Sequence, residues 1–295
     1  MKKNLFLIAL TLFASIACIS CSDKPRTIEN PLISAGNTTT LDIVSVNLND
    51  SSTILTINAY YIPNWWIRIA SDTRLEADGK RYALISAEGI ELDKEFYMPE
   101  SGEAQFTLTF EPLPLSTKKF DFIEGDAEGA FQFWDVDLTR STPPSYPDGL
   151  PAELKKEPRD VSMPQPVFEI GETTVNIHLL NNRPVYNNDW SLLINTMYGK
   201  QEQLPFKVDE EGNAVIKFNQ YGTAQLILLY DNGNLSFANV WVDPGETLNI
   251  YLDMNRSGAN AMRHRDNFKP TANQWIYSDC KYSDFASIVN SNSLG

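Results

Sequence analysis

Cysteine is nearly absent from this chain beyond its first 21 residues. Of three cysteines in 295 residues, Cys18 and Cys21 close the N-terminal segment and only Cys280 follows them. A single downstream thiol excludes an intramolecular disulfide framework for the body of the protein. Histidine is as scarce: His178 falls in a strand-like run, and His264 sits between Arg263 and Arg265. Neither shares with Cys280 the spacing of a structural zinc site. No serine stands in a G-x-S-x-G setting and no glycine-rich phosphate loop occurs. Asp121, Glu124, Asp126 and Glu128 lack the spacing of a calcium loop and read as turn composition, and Asp209-Glu210-Glu211 reads as a hairpin tip. Asp135 and Asp137 share one face of a strand, but no opposing carboxylate completes a glycosidase pair. The expectation is no catalytic site, no metal and no cofactor. Basic residues are also in the minority, 24 against 38 acidic ones, for a net charge of −14. That surface repels nucleic acid and anionic lipid headgroups.

The chain opens with a two-lysine n-region, Lys2-Lys3, and an apolar run from Leu5 to Ala17. This run is shorter than the ~20 residues of a bilayer span and matches a secretory leader. The segment around Cys18 and Cys21 resembles the lipobox of bacterial lipoproteins, in which the lipidated cysteine becomes the new N-terminus. Cys21 is the expected lipidation site, because the polar stretch Ser22-Asp23-Lys24 follows it directly. The acylated cysteine would tether the protein to a membrane of the bacterial cell envelope, on the periplasmic side or at the cell surface.

Beyond the leader the pattern is β. Residues 22–36, with Pro25, Pro31 and Gly36, read as a tether. Residues 37–140 hold seven or eight short strand-like runs, among them Leu41–Val46, Ile54–Tyr60 and the alternating Phe106-Thr107-Leu108-Thr109-Phe110. They predict an immunoglobulin-like antiparallel β-sandwich. Residues 141–166 carry seven prolines and read as a stiff linker with room for one helical turn at Ala152–Lys156. Residues 167–255 predict a second, smaller β-sandwich or barrel. It includes a hairpin from 206–208 to 214–218, and a turn at Asp243-Pro244-Gly245-Glu246. Residues 256–295 read as a polar tail with room for short helices.

The stretch from Phe110-Glu111-Pro112-Leu113-Pro114 through Phe120-Asp121-Phe122-Ile123-Glu124-Gly125-Asp126, together with Val240–Asp253, resembles the β-rich N-terminal modules of Bacteroidetes lipoproteins that carry a thioredoxin-like thiol-disulfide oxidoreductase domain. The resemblance covers residues 35–255 and implies an envelope location. It does not extend to the catalytic domain, whose two-cysteine turn has no counterpart here. Trp65 and Trp66, after Pro63-Asn64, are the candidate ligand or partner surface. Strand alternation would send one inward and leave the other for a glycan or protein. The leading expectation is a lipid-anchored exported accessory or binding protein without a catalytic site. The alternatives are the N-terminal portion of a thioredoxin-like oxidoreductase, separated from its catalytic domain, and a glycan-binding surface lipoprotein.

Overall fold

The computed structural model describes residues 24–127, 129–155, 164–230, 235–266 and 276–282. The leader, Cys18, Cys21 and Glu128 lie outside these residues. The described chain is mainly β, as its alternation predicts.

Eleven strands build the first body: β1 (Arg26–Glu29), β2 (Leu32–Gly36), β3 (Leu41–Leu48), β4 (Thr53–Tyr60), β5 (Trp66–Ile67), β6 (Arg74–Ala77), β7 (Lys80–Glu88), β8 (Phe96–Tyr97), β9 (Glu103–Phe110), β10 (Lys119–Ile123) and β11 (Gln132–Asp137). Nine of them form one curled sheet in the order β1-β3-β4-β9-β7-β6-β10-β11-β2, and β5 pairs with β8 as a separate ribbon. The curl arises where a strand serves both layers. β7 pairs with β6 through residues 80–83 and with β9 through residues 84–88. On the opposite side, β1 and β2 are interrupted by Asn30, at φ 50°, and Pro31. Proline has no N–H to give a ladder, so the chain changes layers there. The expected tether at 22–36 is therefore strand from Arg26 onward, because Ile28, Leu32 and Ile33 contribute to the apolar interior. Between the layers, Phe110, Phe122 and Phe133 pack with ring centroids 6.4 and 5.9 Å apart, within the favourable range for aromatic pairs.

The second body comprises β12 (Gly171–Leu180), β13 (Trp190–Thr196), β14 (Gln201–Phe206), β15 (Asn213–Gln220), β16 (Ala224–Tyr230), β17 (Leu235–Val242), β18 (Thr247–Asp253) and β19 (Ile276–Ser278). They form two four-stranded sheets, β15-β12-β18-β19 and β14-β13-β16-β17, around a common apolar core. One pair, β12 with β18, is parallel. The expected hairpin across residues 209–213 is not formed. The turn closes, with Gly212 N–H donating to Asp209 at 3.0 Å, but β14 and β15 enter different sheets. Val208 is buried between them and its N–H donates to Asn187 O, which carries the chain from one layer to the other.

Two segments join these bodies. In the proline-rich stretch, a 3-10 turn at Ala152–Leu154 buries Leu150 and Leu154 against Tyr277. After β18 a 3-10 helix, Met254–His264, leaves the second body and lies along β2. Ile33 N–H points at the Met262 sulfur (3.3 Å) and Gly36 N–H donates to Ser257 Oγ (3.3 Å). The helix thus covers the open edge of β2, the kind of edge that otherwise invites pairing with another chain. Gly258 permits the contact, since a Cβ there would lie 2.0 Å from Ile33 O. Beyond the helix, Arg265 reaches into the first body and pairs with buried Asp42. Arg183 adds a further link, donating to Asp135 Oδ2 at 2.6 Å with its guanidinium over the Trp134 ring. Residues 256–266 and 276–282 are accordingly packed on the folded bodies: of the expected polar tail with short helices, the helix is present and these residues are not a free tail.

Candidate functional site

The β5–β8 ribbon is pinned at its base by Ile67 and Met98, both buried in the first core. Trp66 pairs with Tyr97 across the ribbon, on the face opposite Ile67. Trp65 lies just before the strand, at the end of a turn from Ile62 in which Asn64 has φ 63°. Asparagine accepts that left-handed conformation at little cost. The turn is closed by Trp65 N–H to Ile62 O, and Met98 N–H donates to Trp65 O at 2.8 Å. The turn cancels the alternation that would have buried one of the two indoles. Trp65 is 58% exposed, Trp66 49% and Tyr97 59%. Tyr61 meets Trp65 edge-on, centroids 6.3 Å apart at 77°. Scattered exposed apolar residues are ordinary, whereas four large aromatics on one short ribbon and its flank form a patch.

The patch borders a cleft of about 630 Å3, lined by Tyr61, Trp65 and Trp66 together with residues 124–127 and 129–131. Its volume lies in the range of small-ligand sites. Carboxylates from three separate segments reach it. Asp93 accepts Ser71 N–H at 2.9 Å, and hydrogen bonding from the Ser71 side chain, then from its N–H, holds the Asp93 carboxyl below the ordinary range. Asp72 lies against Gly125, whose φ of 127° and missing side chain leave room for the carboxylate. Asp126 pairs with Arg74 at 2.7 Å, which lowers its pKa. Arg68 is the one exposed cation among the lining residues. Glu124 is a framing group: buried, it accepts the N–H groups of Ala70 (2.9 Å) and Phe131 (3.1 Å) and fixes the two cleft walls to one another. Burial pushes its carboxyl up, against the pull of those two hydrogen bonds.

The remaining sequence candidates are placed elsewhere. Asp121 accepts the Asp135 N–H, Glu124 turns inward and Asp126 turns to Arg74, so the three point to separate partners rather than to one cation. Asp135 and Asp137 do not share a face in a regular strand. Asp135 has φ 50° in a β-bulge and pairs with Arg183, while Asp137 is buried and accepts Thr139 N–H and Oγ1. His178 stacks on Tyr251 with centroids 4.5 Å apart, and His264 on Tyr60 at 4.0 Å. Among the described residues no group of three His, Cys, Asp or Glu side chains is disposed around a common metal position. Cys280 is buried in the second core, and burial pushes its thiol up. The sequence pattern points to Trp65 and Trp66 but carries no signal for Asp72 and Asp93, whose approach to the same cleft depends on tertiary structure.

No known protein family matches the chain, and no curated protein does either. Solved structures resemble it only distantly. Pullulanase type I from Bacillus subtilis, solved with maltose, is 10% identical at a TM-score of 0.26, over 70% of this chain and 24% of that one. The adhesin domain of Epf from Streptococcus pyogenes is 12% identical at 0.22, over 76% and 84%. The Bacillus anthracis TIE protein is 10% identical at 0.20, over 79% and 50%. Scores of this size carry no functional argument.

Proposed function

We propose that the protein is an exported, lipid-anchored binding protein, with no catalytic site of its own, whose recognition surface is the Trp65–Trp66 cleft. The observation that carries this reading is that both indoles are exposed beside the cleft, at the end of β4 away from Arg26. Arg26 pairs with Leu48, and Leu48 with Thr53, at the start of β4. The cleft begins past the other end of β4, at Tyr61. Eight residues of strand separate the two poles by about 25 Å. Only residues 22–25 lie between Cys21 and Arg26, a reach of at most about 17 Å. A lipid on Cys21 would hold the Arg26 pole near the bilayer and turn the cleft outward. The leader, the lipobox-like segment and the resemblance to Bacteroidetes lipoproteins all support an envelope location.

Two tests address this reading. The full chain expressed in a Gram-negative host is expected in the membrane fraction, with an acylated Cys21 as the first residue in mass spectrometry of the N-terminal peptide. Cys21→Ser is expected to move it to the soluble fraction, whereas Cys18→Ser leaves it on the membrane. A soluble wild-type product starting at any other residue removes the anchor from the proposal.

The second test concerns the absence of catalysis. Disulfide exchange needs a thiolate and a resolving partner. Burial works against the Cys280 thiolate, and no second described cysteine stands beside it. Insulin reduction by the purified protein is expected at the background of a generic thiol, equal in Cys280→Ala. Robust turnover abolished by that substitution would overturn the non-enzymatic reading.

A further inference from the structure

We infer that the Trp65–Trp66 cleft takes a neutral glycan, with a sugar ring laid on an exposed indole and its hydroxyls bonded to Asp72, Asp93 and Arg68. This inference rests on the binding role proposed above and names the ligand class for the same site.

A buried tryptophan contributes to folding, but Trp65 and Trp66 leave about half of their surfaces in water. The ribbon that presents them is fixed by Ile67, Met98 and a backbone hydrogen bond at each side of the turn. Rigid aromatic faces of this kind offer a large contact area at low ordering cost. Their ligand must have a flat apolar face of comparable size.

The polar groups decide which ligand that is. Asp72, Asp93 and Asp126 against Arg68 give the lining an acidic balance, which disfavours uronates, sulfated sugars and phosphates. Arg74 already partners Asp126, so that carboxylate is the least available of the three. Arg68 stands in the same cleft and offsets part of that negative charge, so the lining offers a hydrogen-bond donor as well as acceptors. A neutral polyol is attracted by both signs. Each hydroxyl donates to a carboxylate and accepts from a guanidinium. A pyranose ring adds the apolar face of axial C–H groups that matches an indole. The combination of stacked ring and bonded hydroxyls therefore fits a neutral sugar better than an anion or an aliphatic chain. A volume of about 630 Å3 admits a short run of such units.

The experiment uses the full-length protein in mild detergent and electrophoresis through native gels containing one polysaccharide each. The probes are α-glucan, β-glucan, xylan and mannan, with polygalacturonate as the anionic and chitosan as the cationic comparison. Retardation that depends on the tryptophans is expected in at least one neutral gel and not in polygalacturonate, whereas chitosan should retard this protein of net charge −14 equally with and without them. Trp65→Ala and Trp66→Ala should each weaken that binding by about tenfold or more. Asp93→Asn should weaken it severalfold. Both tryptophans are exposed, so circular dichroism and the unfolding midpoint should stay at wild-type values. No retardation in any neutral gel overturns the inference, as does retardation there that survives both tryptophan substitutions. Tryptophan-dependent retardation in the chitosan gel alone overturns the neutral-sugar assignment while leaving a recognition cleft in place. None of these outcomes alters membrane partition of the wild-type chain, so failure here is distinguishable from failure of the anchored reading.

Discussion

Replacing Arg265 by alanine is expected to destabilise the protein by about 3–5 kcal/mol, through a residue that looks peripheral in the sequence. Its guanidinium pairs with both oxygens of Asp42, at 2.6 to 3.1 Å, and donates to the backbone oxygens of Pro31 (2.8 Å) and Ile43 (2.9 Å). The two side chains retain only 6% and 1% of their exposure. A pair this buried contributes little net stability, since desolvation offsets most of the attraction, but removing one partner leaves an uncompensated charge. Asp42 belongs to β3 of the first body and Arg265 to the segment that leaves the second. Urea unfolding should therefore show the Arg265→Ala loss in the transition of the first sandwich. Asp42→Asn combined with Arg265→Ala should recover part of it, because the buried charge is then gone. An Arg265→Ala midpoint within ~0.5 kcal/mol of wild type would show that the 3-10 helix does not hold the first body together.

Much of the strand content was legible because it obeys a period of two. Phe106, Leu108 and Phe110 turn inward in β9, and Val175, Ile177 and Leu179 in β12, as alternation requires. Partner choice was not legible. A tight turn at residues 209–213 looks like a hairpin locally, and only the buried Val208 and the facing sheet decide that its strands part. The segment after Asp253 was the hardest to read. Its buried apolar residues divide between two cores, Met254 in the second and Ala261 and Met262 in the first, so the local pattern names neither partner. Its strongest contact joins residues 223 apart in sequence, beyond any local pattern. The cleft was half legible. Adjacent tryptophans after Pro63-Asn64 mark an unusual turn, but strand logic alone predicts that one is buried. Asn64 supplies the positive φ that exposes both.

The same C-terminal stretch also closes the second body, and Asp243→Ala is expected to cost about 3–5 kcal/mol there. Asp243 heads the Asp-Pro-Gly-Glu turn between β17 and β18. Its buried carboxylate accepts from the Thr223 hydroxyl and the Tyr282 hydroxyl (2.9 Å) and pairs with Lys281. Thr223 and Tyr282 are themselves buried, at 1% and 0% exposure, so alanine would leave two hydroxyls without their acceptor inside the core. Lys281 is 41% exposed along its side chain, and Lys281→Met should cost no more than about 1 kcal/mol. The contrast separates the buried hydroxyl network from the ion pair. Acid should expose the same carboxylate. Burial pushes the Asp243 carboxyl up, but the hydrogen bonds from Lys281, Thr223 and Tyr282 outweigh it and hold the group below the usual aspartate range. A folded pKa below the unfolded one, ~3.9, means that the contribution is complete above about pH 4 and is lost as pH falls through the folded value. Asp121 and Glu124 carry the opposite sign. Burial raises both, so their contribution favours the folded state in acid and fades as pH rises through their folded values. Those two terms are common to wild type and Asp243→Asn. The difference between the two urea midpoints should therefore be constant above about pH 4 and shrink below it. A difference that stays constant into stronger acid would mean that Asp243 is not the ionised acceptor on which the C-terminal segment closes.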